Sequence, residues 1–99
     1  MNELRFEGRI DRITVKNEKV IKFSIVNRKN KRITGTVFNS QITRHIYEQI
    51  EERLGQTVTI TGEMYETNYQ DKKTSQWINS YCVCVYKMED EEKLAFQKR

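Results

Sequence analysis

The spacing of apolar residues changes period twice within 99 residues, and this limits the possible folds more than any other feature of the chain. Leu4, Phe6 and Ile10 recur at every second position with Gly8 in the same register. Ile21, Phe23 and Ile25 do the same, as do Ile33 and Val37 with Gly35 between them. The spacing then becomes four at Ile42, Ile46, Ile50 and Leu54, with Tyr47 beside them. It returns to two at Val58, Ile60 and Met64, with Gly62 between. Alternation marks a half-buried strand, and a spacing near 3.6 marks an amphipathic helix. The chain therefore reads as three strands, one helix of about three turns, and two strands.

Polar stretches separate these runs. Residues 16–19 form a turn, 27–31 a basic hairpin loop and 70–75 a second polar loop. The strands are expected near 4–15, 20–26, 32–38, 58–69 and 77–86. On strand three, Ile33, Gly35 and Val37 share one face, and Arg32, Thr34, Thr36 and Phe38 share the other. Asn39 or Ser40 suits the helix start, and Gly55 sits where a left-handed C-cap is wanted. A helix between strands three and four of a five-stranded antiparallel sheet is the order of an OB-fold barrel, an all-β class with one helix. Glycines at 8, 35 and 62, each mid-strand and facing inward, suit a small, tightly coiled barrel. The barrel is expected to occupy residues 1–87, and 88–99 to form a charged tail or short helix.

The length allows one domain and one core. No apolar run approaches 18 residues, which excludes a membrane-spanning helix. The first residues lack an apolar signal region, so a cytoplasmic location is expected. Cys82 and Cys84 lie one residue apart on one strand face, which suits two small buried hydrophobes in a reducing compartment. With them and His45 as the only thiols and imidazole, four zinc ligands cannot be assembled. There is no Gly-rich phosphate loop, and Asp11 and Asp71 read as isolated turn residues. The chain reads as a binding protein without a cofactor or catalytic role.

Its charge points to a partner. The formal net charge is +4, and residues 1–32 hold ten Lys or Arg against four Asp or Glu. A basic half suits a polyanion. Phe38, Tyr65 and Tyr69 fall on strand faces opposite the core residues, and Trp77 opens strand five. Phe38 equally fits a barrel plug, Trp77 a lid or dimer contact, and Tyr81 and Tyr86 packing or subunit contacts. Cations interleave with these aromatics: Lys22, Arg28, Lys29, Lys31 and Arg32 around strands two and three, and Lys72 and Lys73 after strand four. Thr34 lies among them. Unpaired bases stack on exposed rings for about 1–3 kcal/mol each, while flanking cations neutralise phosphates. A duplex, whose bases already stack, suits this surface less well. The one helix carries Glu48, Glu51 and Glu52 and would repel phosphate. Single-stranded DNA, bound without strong sequence preference, is the expected ligand.

The segment Gly55-Gln56-Thr57-Val58-Thr59-Ile60-Thr61-Gly62-Glu63-Met64, then Tyr69-Gln70-Asp71 and Trp77, resembles the bacterial single-stranded-DNA-binding protein family. Asn2 to Gly8, Phe23-Ser24-Ile25 and Thr36-Val37-Phe38 resemble that family's first three strands. The likeness spans about residues 2–86 and implies a role in replication or recombination. It also implies base stacking on Phe38, Tyr69 and Trp77, and a possible homo-oligomer with strand one as a contact. A further aromatic position of the family falls on Arg32, whose guanidinium plane can stack or meet phosphate. The loop at 27–31 is short for the family. The basic end Phe96-Gln97-Lys98-Arg99 departs from its acidic tip, which puts recruitment of helicase, primase or polymerase by that route in doubt. The compact form suggests a mobile element. Two other readings stay open: a primosome-like OB adaptor that mainly docks a replication protein, and an RNA-binding OB domain of cold-shock type.

Overall fold

The computed structural model describes residues 3–90, apart from the side chains of Thr67, Tyr69, Ile78, Asn79 and Ser80. Its elements are β1 (Glu3–Lys16), β2 (Val20–Val26), β3 (Arg32–Phe38), α1 (Arg44–Gln49), a 3₁₀ turn (Glu51–Arg53), β4 (Thr57–Gln70) and β5 (Trp77–Asp90). The strands close into a barrel in the order β1-β2-β3-β5-β4, the OB-fold arrangement expected from the sequence. Four of the five pairings are antiparallel. The fifth, β3 with β5, is parallel and spans Thr34↔Cys82, Gly35↔Val83 and Thr36↔Cys84. The crossover through α1 allows it, since a parallel pair cannot be joined by a tight turn.

Two irregularities in β1, between Ile10 and Arg12 and between Ile13 and Val15, bend that strand. Its first half pairs with β4 and its second half with β2, which lets five strands enclose one core. Ile10, Ile21, Phe23, Ile25, Val37, Val58, Ile60, Val83 and Val85 fill the interior, and Ile46 and Ile50 of the helix join them. The inward glycines make room for this packing. A Cβ at Gly35 would lie 2.5 Å from the tip of the Phe23 ring, and one at Gly62 would lie 2.1 Å from the Cys84 carbonyl oxygen.

The helix is shorter than the spacing of its apolar residues suggests. Ile46 and Ile50 are buried, whereas Ile42 is 78% exposed and Leu54 49% exposed. Residues 41–43 are turns, so Ile42 precedes the helix, and the backbone leaves helical geometry at Leu54. Thr43 stands at the N-cap and makes no side-chain bond to the helix. Its hydroxyl donates instead to the Phe38 carbonyl at 2.5 Å, while the Ser40 carbonyl accepts from the Arg44 N–H at 2.8 Å. Asn39, the other expected cap, donates its amide to the Glu18 carbonyl. Gly55 does adopt the left-handed conformation, at φ +85, and its N–H donates to the Ile10 carbonyl at 2.8 Å.

Strand five runs further than the sequence suggested. Met88, Glu89 and Asp90 pair with Ile60, Thr59 and Val58, so these residues belong to the barrel. The Arg53 guanidinium holds the Asp90 carboxylate at 2.7 Å and ties the 3₁₀ turn to the strand end. The rest of the expected tail, 91–99, lies outside the described residues.

Candidate nucleic-acid interface

In a barrel, register decides which side chains share the outer surface. Partners directly opposite one another point to the same face. Ser24, Thr34, Cys82 and Tyr65 form one outward row across β2, β3, β5 and β4. Lys22, Thr36, Cys84 and Glu63 form the next. The middle of these rows is made of small side chains, and they are covered: Ser24, Thr36 and Cys82 are all buried. Alternation assigned Thr36 to the wetted face with Arg32 and Phe38. It does point that way, between Lys22 and Cys84 in its row, yet it is only 1% exposed. Its hydroxyl has no hydrogen-bond partner among the described residues.

Larger groups border this floor. Phe38 stands one step beyond Thr36 on the same face of β3 and is 48% exposed, and Tyr65 at the β4 edge is 38% exposed. Neither plugs the core. Lys22 is half-buried on β2. Arg32 is exposed but engaged, its Nη1 donating to the Asp11 carboxylate and to the Ser24 hydroxyl, both at 2.8 Å. Asp11 is therefore no turn residue. It sits at the β1 irregularity, holds Arg32, and has Arg9 at 3.7 Å.

The loops present the remaining cations. In 27–31 the Asn27 carboxamide oxygen accepts from the N–H groups of Lys29 and Lys31, both at 2.9 Å, and Asn30 takes positive φ. This folds the loop tightly and leaves Arg28, Lys29 and Lys31 exposed at its rim. The second loop uses the same device. The Asp71 carboxylate accepts from the Lys73 N–H at 2.8 Å, and Ser75 takes positive φ, so Lys72 and Lys73 project from the tip.

That tip is remote from the barrel. Among the described residues β1 pairs with β4 as far as Glu63, and β3 with β5 from Cys82 to Cys84. Beyond these points, among the described residues, 65–70 and 77–81 pair only with each other, as a two-stranded arm. Trp77 lies at its end opposite Gln70 and is 71% exposed. Register places Trp77 on the arm face shared by Glu66 and Tyr81, not on the Tyr65 face. The structure thus brings Lys22, Arg32, Thr34, Phe38 and Tyr65 onto one outer surface. It places Trp77, Lys72 and Lys73 along a separate extension of it. Tyr69 pairs with Ile78 on the arm, and its side chain lies outside the described residues.

Sequence reasoning missed a groove of about 270 Å³ where β3 parts from β5. Phe38, Ile42, Glu63, Cys84 and Tyr86 line it, and the lining is largely apolar. The Tyr86 hydroxyl donates to the Glu3 carboxylate, which fixes the ring as a wall. That bond, with some burial and the nearby charges of Glu3 and Glu63, raises the Tyr86 pKa. Burial, with Glu63 beside it, likewise raises that of the Cys84 thiol and keeps it protonated. The signal available in the sequence was the outward parity of Glu63, Cys84 and Tyr86. Among the described residues no group of three His, Cys, Asp or Glu side chains could hold a metal ion.

No protein-family model matches the chain, and no curated protein matches it. Solved structures do. The crystal structure of Rim1, a mitochondrial single-stranded DNA binding protein of S. cerevisiae, superposes with a TM-score of 0.66 at 17% identity, over 91% of this chain and 92% of that one. The small single-stranded DNA-binding protein of Streptomyces coelicolor gives 0.63 at 12% identity, over 92% and 95%. The SSB of Plasmodium falciparum, solved with single-stranded DNA, gives 0.57 at 18% identity, over 90% and 91%. The aspartyl tRNA synthetase of Entamoeba histolytica gives 0.64 at 13% identity, over 88% of this chain but only 18% of the enzyme. These likenesses establish the fold, and the same fold serves a part of an enzyme.

Proposed function

We propose that this protein binds single-stranded DNA with little sequence preference and coats exposed strands during replication or recombination, as a member of the single-stranded-DNA-binding protein family. One observation carries the reading. Lys22, Arg32, Phe38 and Tyr65 share one outer face of the barrel sheet, and the arm that leaves its edge carries exposed Trp77 on its opposite face. Rings on a wetted face leave apolar area exposed that a base would cover. Cations beside them exchange condensed counterions for phosphate contacts. Three of the structures that share the fold over nine-tenths of the chain are single-strand binders, which supports the same reading.

The test is a titration of Trp77 fluorescence with oligo-dT, a matched duplex and oligo-rU at low and moderate salt. Quenching by oligo-dT that weakens with salt, with far weaker duplex binding, is the expected result. Equal, weak binding to all three would overturn the proposal, and preference for oligo-rU would move it to RNA.

Two charge variants refine it. Lys72 and Lys73 stand exposed at the arm tip, clear of the barrel. Replacing both with alanine shallows the log–log salt dependence by about 0.7 for each phosphate the loop neutralises in the parent. An unchanged slope would show that the arm tip does not meet the backbone. Asp11→Asn acts in the opposite direction. It releases Arg32 from its carboxylate, so single-strand affinity rises by about 0.2–1 kcal/mol, the range of an exposed ion pair. The slope steepens as the freed guanidinium reaches phosphate. Loss of affinity instead would mean that Asp11 holds Arg32 in its binding position.

A further inference from the structure

The groove beside Phe38 carries a group that sequence-tolerant stacking does not use. Two rings wall it, Phe38 and the Tyr86 ring anchored through Glu3, and Glu63 stands on its edge. Glu63 is exposed, and among the described residues no cation lies within ion-pair distance of it. A carboxylate beside a phosphate-binding surface weakens binding unless it meets a donor on the ligand.

We propose that the groove takes one guanine of the bound strand, stacked on Phe38, with the Glu63 carboxylate accepting from its N1–H and N2 amino group. The inference rests on the single-strand reading above and adds a local base preference to it. The volume, about 270 Å³, falls just below that of pockets for drug-sized ligands and suits one flat ring system. The lining is apolar on its ring walls, as stacking requires. An ionised carboxylate only accepts hydrogen bonds. Guanine alone presents two adjacent donors on its pairing edge. Adenine and cytosine set an acceptor nitrogen beside their amino group, and thymine flanks its one N–H with two carbonyl oxygens. A single strand leaves that edge free to be read. The groove is also continuous with the proposed path: Glu63, Cys84, Thr36 and Lys22 form one register row, which places a cation for the backbone on the same surface.

The experiment compares binding of (dT)12 with the same strand carrying one central dG, dA, dC or deoxyinosine, measured by anisotropy with the whole chain. The dG strand binds about five- to thirtyfold tighter than (dT)12. Deoxyinosine, which keeps N1–H and lacks the amino group, retains only part of that gain, while dA and dC give none. In Glu63→Gln, whose amide cannot accept both bonds, dG and dT come within twofold of each other and (dT)12 still binds. Equal affinity for all strands in the native protein, or a guanine preference that survives Glu63→Gln, overturns the proposal and leaves the single-strand reading standing. Failure to bind any strand overturns both. A dimer by light scattering that Ile42→Asp dissociates, together with no guanine preference, assigns the groove to a second copy of the chain and also overturns it.

Discussion

Replacing Phe38 and Trp77 together with alanine weakens single-strand binding by about 2–6 kcal/mol, the loss of two base stacks. The fold tolerates both changes, because Phe38 is 48% and Trp77 71% exposed and neither belongs to the buried cluster. The thermal midpoint therefore stays close to that of the parent, and the loss is one of affinity. Trp77 lies five positions before Cys82, the first residue of β5 beside β3, a span of about 17 Å along the strand. At such a distance the two substitutions add. The single variants then sort the path of the strand. If Phe38→Ala carries the whole effect, the DNA stays on the barrel surface and the arm stands clear of it. If Trp77→Ala contributes equally, the strand continues onto the arm. Because Trp77 occupies the arm face opposite Tyr65, the strand must then wrap the edge of the arm. Unchanged affinity in the double variant would remove both rings from the interface.

Much of the barrel was legible because strand alternation and inward glycines are local signals. Ile21, Phe23 and Ile25 are buried as their spacing implied, and Gly35 and Gly62 face the interior where close packing needs them. The helix was over-read because spacing alone does not record where helical backbone begins. Ile42 keeps the spacing of the stripe but lies in a turn, and Leu54 lies past the last helical residue. The extension of β5 to Asp90 was hidden because Glu89 and Asp90 are acidic. They are held in the strand by pairing with β4 and, at Asp90, by Arg53, which are tertiary effects. For the interface, exposure of Phe38 and Tyr65 followed from parity, whereas Trp77 has the parity of the inward Val83 and Val85 and is exposed because it stands on the arm. The engagement of Arg32 by Asp11 across 21 residues did not, since an irregularity in β1 re-aims the carboxylate. The groove depends on where β3 leaves β5, which no local pattern encodes.

The interior offers the other large effect. Phe23 is fully buried and its ring lies against the backbone of Gly35, its register partner on β3. Phe23→Ala removes that ring and lowers stability by about 3–5 kcal/mol, a large share of the roughly 5–15 kcal/mol a domain possesses. In urea the midpoint falls with the slope unchanged, as a core cavity in a two-state protein requires. Gly35→Ala attacks the same packing from the other side, since the new methyl group would lie 2.5 Å from the ring tip. Overpacking of this kind costs about 1–3 kcal/mol. If ring and glycine are one packing unit, the two changes are not independent. Phe23→Leu combined with Gly35→Ala then costs less than the sum of its parts, because the shorter side chain vacates the space the methyl group enters. Strict additivity in that double-mutant cycle would mean that the glycine is required by the curvature of β3 and not by the ring upon it.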